Sequence, residues 1–394
     1  MKTGKTQQAL LAVALVLGLV FLSCGDGNEN DEEDTNNSSQ TDGNGNNGGN
    51  SDNGGNNGGN GGSDNGNGSN GGNDGISLIT SIAYGNGKFI AVGGTIGYEI
   101  IIAYSADGVN WTKAASHPFG TGLINSVAWG NGKFVAVGSG SNDKRVIANS
   151  TDGVIWTEVT TAVFPNRDIY VIVWGADKFV IAGQYGSHSG MAYSADGVTW
   201  ADVPNTSNAL GSSVVIEQLG WGDGKFVAGT NNMAYSTDGI TWTKAANNPF
   251  GAVMIDSHVA SGNIYDFAWG NGKYVAVGYY NTPIAGYQNT NGRIAYSTDA
   301  NNWAVAEDTT FGKTTVFTVT WGNGRFVAGG IGGKMAYSTD GVTWTAVANS
   351  KFGDAVIRDI AWGNDKFVAV GSQSKIAYST DGIIWTAVAN SPFP

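Results

Sequence analysis

Seven aspartates sit at the same place in a recurring string, Ser-x-Asp-Gly-x-x-Trp: Asp107, Asp152, Asp196, Asp238, Asp299, Asp340 and Asp381. A carboxylate in such a setting can ligate a cation, or it can accept hydrogen bonds from the N–H groups of its own turn, as Asx motifs do. Hard cations want six or more oxygens, and each string supplies one isolated carboxylate. The seven aspartates therefore read as hairpin braces, with Ser adding a second local bond and Trp covering the gap to a neighbouring sheet. The three histidines, His117, His188 and His258, lie in separate repeats without His-x3-5-His or Cys-pair spacing. No metal site and no cofactor are expected from them. Stacking of sugars on Trp is equally poorly supported, because all 13 Trp occupy two repeated positions: six open one strand of the unit and seven close the string.

The string belongs to a longer unit, clearest in its last copy, from Asp359 through Trp362, Lys366, Gly371, Ser379 and Asp381 to Val388. Four short runs rich in Val, Ile, Thr and aromatics alternate with Gly/Asn/Asp turns, which predicts a four-stranded meander with strands a, b, c and d. The unit starts seven times, at Tyr84, Trp129, Trp174, Trp221, Trp269, Trp321 and Trp362, 41 to 52 residues apart. Such a period predicts an all-β fold, a seven-bladed β-propeller of four-stranded antiparallel blades over residues 76–394. Each blade is expected to come from one contiguous repeat, with no N-terminal strand completing the last.

The a–b and c–d turns share one face and repeat closely, while the b–c and d–a connections share the other and vary, so the variable face is the expected binding face. The basic residues of the a–b turns, Lys88, Lys133, Lys178, Lys225, Lys273, Arg325 and Lys366, belong to the repeating face. The longest insertions, Gly251 to Asp266 and Tyr279 to Gly292, fall at the fourth and fifth blades and are expected to be neighbours. Tyr279, Tyr280, Tyr287 and His258 are the candidate contact residues, followed by Tyr185, His188 and Arg167.

At Ser-x-Asp-Gly-x-x-Trp the chain resembles the Asp-box (BNR) of sialidase-type propellers, most closely at Thr199-Trp200, Thr241-Trp242 and Thr343-Trp344. The string here is one residue shorter between Asp and Gly, and Ala300 replaces Gly in the fifth copy. The resemblance implies the propeller fold. Sialidase activity would further need an arginine triad, a Tyr nucleophile helped by Glu, an Asp acid/base and an Arg-Ile-Pro motif. The domain has five Arg, no Arg-Ile-Pro, and only Glu99, Glu158, Glu217 and Glu307 as glutamates. A carboxylate pair of another glycosidase type stays open, since its separation is a spatial fact.

The N-terminus carries an address. Lys2 and Lys5 precede an apolar run of 14 residues, Ala9 to Leu22, too short for a membrane span and suited to an export signal over residues 1–23. The run ends at Phe21-Leu22-Ser23-Cys24, which resembles a bacterial lipobox, and Cys24 is the chain's sole cysteine. Lipidation there would anchor the protein by two or three acyl chains. Residues 24–75, mostly Gly, Asn, Asp and Ser, lack the apolar surface that ordering requires and are expected to form a disordered tether of about 40 Å reach.

Net charge is −12, made of +2 in the signal, −10 in the tether and −4 in the propeller, so the folded part lacks the basic footprint that nucleic acid demands. The expected protein is an exported monomer, anchored at the outer membrane or cell surface rather than the inner membrane. It would act as a non-enzymatic binding module for a protein or glycan. The alternatives are a glycoside hydrolase and a scaffold for membrane-complex assembly.

Overall fold

Seven antiparallel sheets follow one another along the chain, each a meander in which neighbours in sequence are neighbours in the sheet. The computed structural model describes residues 77–393 except 96–98, 140–144, 162, 164–167, 186–187, 212–214, 231, 256–257, 285–286 and 308, and only the backbone of 185, 188, 189, 255, 258, 283, 284 and 287–289. The export signal, Cys24 and the tether lie outside the described residues. No helix among the described residues is long and apolar enough to cross a membrane.

Each unit folds as its pattern dictates. The tight a–b turns place Asn86, Asn131, Asn271, Asn323 and Asn364 at φ between 43° and 47°, a left-handed conformation that Asn tolerates and most residues avoid. Strand b is apolar throughout, as in Phe89-Ile90-Ala91-Val92, all fully buried, because the sheets stack face to face and bury both of its sides. Its leading Phe, or Tyr274 in the fifth blade, packs against the aromatic of strand a at centroid distances of 4.4 to 4.7 Å.

Strand a of every blade touches strand a of the next, and the seventh (Ile357–Gly363) touches the first (Ser77–Gly85), so the sheets close into a ring around strands a. This is a seven-bladed β-propeller. The seventh sheet is built wholly from residues 357–387, in agreement with contiguous blades. The start of the chain adds a single bridge, Leu78 to Ser372, and a 3.0 Å bond from Gln373 N–H to the Ser77 carbonyl.

The fifth blade departs from expectation. The two long insertions are not loops on adjacent blades. Both lengthen one sheet: strand a runs over His258–Gly270, strand b over Lys273–Ile284 and strand c over Tyr287–Ser297, paired through Ser261 with Asn281 and Asn281 with Thr290. A fifth short strand, Val253–Ile255, pairs with the start of strand a. Their neighbourhood is thus a matter of strand register.

Two ring-wide contacts join the blades. The last residue of each strand a is Gly85, Gly130, Gly175, Gly222, Gly270, Gly322 or Gly363, and a Cβ there would overlap the strand-a aromatic of the next blade. The series ends with Gly363 against Tyr84. The second contact is a clamp in which the a–b turn Asn donates to a carbonyl in the c–d hairpin of the next blade. Asn86 reaches Thr151, Asn131 Ala195, Asn271 Thr339, Asn323 Thr380 and Asn364 Ala106, at 3.0 to 3.2 Å.

Ala176 and Asp223 hold the clamp position in the third and fourth blades and have no side-chain N–H to give. Between the fourth and fifth blades other bonds stand in: Tyr274 Oη donates to the Gly222 carbonyl, and Asn247 exchanges two bonds with Trp303 at 2.7 and 2.8 Å. Ala176→Asn is expected to restore the missing clamp and to relieve a non-glycine residue at φ 43°. Denaturant unfolding should show a gain of about 0.5–1.5 kcal/mol. An unchanged midpoint would refute the clamp's energetic role.

Candidate functional site

The seven aspartates act in the structure as braces. In every copy Asp Oδ1 accepts two backbone N–H groups from two and three residues ahead, as Asp196 does from Val198 at 2.8 Å and Thr199 at 2.7 Å. The Ser hydroxyl donates to the same oxygen at 2.9 to 3.0 Å. No group of three or more potential metal ligands occurs among the described residues.

The loop residues fare differently. Tyr280 is buried, with the Arg293 guanidinium 3.5 Å from its ring centroid, so it is a packing residue and offers no face to a ligand. His258 pairs with Ile255 and Tyr287 with Ile284, at the far end of the extended fifth blade. Tyr279 pairs with Asn263 at its base. Five residues of strand separate Tyr279 from Ile284, about 16 Å, so the expected cluster is not assembled. Tyr185 and His188 face each other across the b–c turn of the third blade. The side chains of Tyr185, His188, His258 and Tyr287, and all of Arg167, lie outside what is described. His117 is structural: its Nε2 lies 3.1 Å from the Ile100 carbonyl, and burial lowers its pKa.

Around the axis a different set comes together. Four residues before the strand-a aromatic stand Thr80, Asn125, Tyr170, Glu217, Tyr265, Phe317 and Arg358. In six blades this residue is a β-bulge, skipped by the pairing to strand b. In the fourth, Glu217 directly precedes strand a (Gln218–Gly222). A bulge leaves one residue without a partner and re-aims its side chain. The position lies toward the d–a end of strand a, hence on the variable face.

Two of the seven are absorbed by the scaffold. Thr80 Oγ1 donates to the Ile124 carbonyl at 2.6 Å, and Asn125 Nδ2 donates to that of Ile169 at 2.7 Å, each bridging to the next blade. The other five are half-buried and gather at the mouth. Tyr265 lies 5.0 Å from Phe317 and 5.7 Å from Tyr279 between ring centroids, and the Arg358 guanidinium stands 4.8 Å from the Phe317 ring. Glu217 accepts from Asn263 Nδ2 at 2.8 Å, and Tyr170 donates to Gln184 Oε1 at 3.0 Å. Arg145 and Asp168 form an ion pair beside Tyr170.

The electrostatics follow from burial. Desolvation raises the Glu217 carboxyl, and the bond from Asn263 only partly opposes it. Desolvation, with Asp168 and Glu217 nearby, pushes Tyr170 up to about 12. Tyr265 and Tyr279 are raised by the same burial and by the charge of Glu217. The site therefore offers phenol O–H groups and a carboxyl whose neutral form burial favours, beside the unpaired guanidinium of Arg358.

In three blades the residue after the bulge has a separate structural task. Asp359 Oδ2 accepts Ile82 N–H at 2.8 Å across the closing junction, Asp266 Oδ2 accepts Val319 N–H at 2.7 Å, and Ser126 Oγ accepts Ile172 N–H at 3.2 Å.

No family model matches the chain, and no curated protein matches it. Among solved structures it is similar to YCF48 from Cyanidioschyzon merolae, with 15% identity over 76% of this chain and 93% of that one at a TM-score of 0.51. A structure of YCF48 bound to D1 peptide gives 14% identity, coverage of 76% and 88%, and a TM-score of 0.52. A streptogramin B lyase gives 13% identity, coverage of 76% and 93%, and a TM-score of 0.51. At such identities the likeness is one of fold.

Two carboxylates set opposite pH limits. The Thr199 N–H foremost pulls Asp196 from 3.8 to about 2, so the stability it contributes is complete above 3.8 and lost as pH falls toward 2. Burial pushes Asp359 from 3.8 to about 7 against the hydrogen bond from Ile82, so it costs stability as pH rises from 3.8 to about 7. Asp196→Asn should flatten the acid limb of the unfolding profile, and Asp359→Asn the neutral limb. Profiles superimposable on the unmodified protein would contradict both assignments.

Proposed function

We propose that this protein is an exported, lipid-anchored propeller of the cell envelope that binds its partner, without catalysis, at the axial mouth of the variable face. One observation carries the reading: a single strand position, elsewhere surrounded by repetition, holds Tyr170, Glu217, Tyr265, Phe317 and Arg358 around the axis. A structural ring has no need of four kinds of side chain at five equivalent places, and a shaped binding surface does. Tyr279 belongs to this surface.

The address rests on the sequence: Lys2 and Lys5, the apolar run and the sole Cys24 read as a lipoprotein signal, and the braced hairpins read as members of the Asp-box class. On this reading Cys24 holds the membrane through acyl chains while the tether sets the propeller away from it. A protein partner accords with the peptide-bound structure of the YCF48 neighbour.

A photo-crosslinking residue replacing Tyr279 should yield a discrete adduct in intact cells, lost on adding Phe317→Ala. The same probe replacing Asn110 on the braced face should yield none. Equal labelling from both positions, or none from Tyr279, would refute the mouth as the binding site.

The raised carboxyl of Glu217 favours one other reading, a glycosidase with Glu217 as general acid. No release of chromogenic aglycone is expected from the unmodified protein. Release that is abolished in Glu217→Gln would replace the binding reading with the enzymatic one.

A further inference from the structure

We propose that the mouth is a carboxylate receptor for a peptide, with Arg358 as the residue that takes the carboxylate. The inference rests on the binding reading above and specifies its ligand.

A guanidinium presents five N–H donors in a planar fork whose geometry matches two carboxylate oxygens. Where this fold uses arginine for its own construction, those donors or that charge are engaged. Arg145 is paired with Asp168, and Arg293 covers Tyr280 while donating to the Pro249 carbonyl. Arg325 stands close enough to Asp381 to lower its pKa. Arg358 stacks on Phe317 and has no ion pair among the described residues. Its Nε is buried without an acceptor, as are those of Arg145 and Arg325, but the group that acts on its charge is the Tyr265 phenol and not a carboxylate.

The acids beside it in sequence and at the mouth are committed elsewhere. Asp359, its neighbour in sequence, accepts Ile82 N–H on Oδ2 and Ile360 N–H on Oδ1, at 2.8 and 2.7 Å. Glu217 accepts from Asn263, and burial favours its neutral form. A half-buried cation without a counter-charge is costly to hold, so the site is prepared for an anion from outside.

Charge and shape narrow the anion. One guanidinium balances one negative charge, and the other arginine beside the mouth, Arg145, is already paired with Asp168, so a phosphate dianion would be left half-compensated. Sugar stacking needs an open aromatic face. Here Phe317 is covered by Arg358 and abutted by Tyr265, and Tyr265 and Tyr279 are inclined at 37° to one another in mutual contact. What stays available is a row of polar edges, the Tyr265 and Tyr279 hydroxyls and the Glu217 carboxyl, of the kind that pair with peptide amides. The carboxylate could be a C-terminus or an acidic side chain, and both present the same two oxygens.

Three probes separate the cases in ligand-observed NMR titrations of the full chain: the free acid of acetyl-Ala-Leu-Phe, its C-terminal amide, and acetyl-Ala-Glu-Ala amide. At least one acid should bind about tenfold more tightly than the neutral amide, and the better acid identifies the source. Arg358→Gln should bring that ratio to about one, and Arg358→Lys should retain part of it.

The ratio measured on the unmodified protein needs no variant to fold. Equal binding of acids and amide, no binding of any probe at millimolar concentration, or a ratio that survives Arg358→Gln would overturn the assignment. Binding of the neutral amide that Phe317→Ala abolishes would remove the carboxylate but leave the mouth as a binding site. Failure of the Tyr279 crosslink would remove the site itself.

Discussion

The closest constraint in this molecule is the seat of an aromatic ring on a glycine, made seven times between the end of one strand a and the next. The aromatic ring lies where a Cβ would be, so two sheets approach to a distance that no other residue permits. This approach brings seven innermost strands into a closed ring, and the ring gives the axial mouth. Tyr84 shows that the contact requires a flat ring rather than an indole, since it closes the circle in a place where six Trp stand elsewhere.

The same economy separates construction from recognition along a single strand. The Gly and its aromatic neighbour serve the junction, and in three blades the residue after the bulge, Ser126, Asp266 or Asp359, bridges blades by accepting an N–H. The bulged residue between them is freed from pairing. Thr80 and Asn125 spend that freedom on further bridging, while the five larger side chains turn it into a surface. A rigid frame thus carries variable chemistry at one position per repeat, which holds each group within a narrow range of orientation.

Architecture was legible because its determinants are local and repeated. Asp-Gly turns, Trp positions and apolar runs recur at one period, and each Asp acts within three residues of itself. The mouth was hard to read for the opposite reason. Its members lie 41 to 52 residues apart, one to a repeat, and bulging is a matter of backbone register that residue types do not announce.

Aligning the seven strands a and asking which column changes character would have found Tyr170, Glu217, Tyr265, Phe317 and Arg358. Loop length points elsewhere. Loop length did find Tyr279, which sits at the root of an insertion, but it also selected Tyr280, whose next place in the strand turns it under Arg293. The insertions themselves read as loops because they interrupt the repeat, and only pairing partners on both sides make them strand.

Seven junctions in a closed circle act as links in a chain, and the link with the fewest ties governs where the circle yields. Between the third and fourth blades Ala176 offers no tie, and Tyr170 and Glu217 stand on either side of that link. Tyr265, Phe317 and Arg358 ride on blades joined by Asn271, Asn323 and Asn364. The mouth therefore has a fixed jaw of two aromatic rings and a cation, to which Glu217 is held through Asn263, and a compliant jaw in Tyr170 across the unclamped link. Local opening, which follows the least stabilised contacts, widens it from one side only. A guest that enters is gripped first by the jaw that does not move.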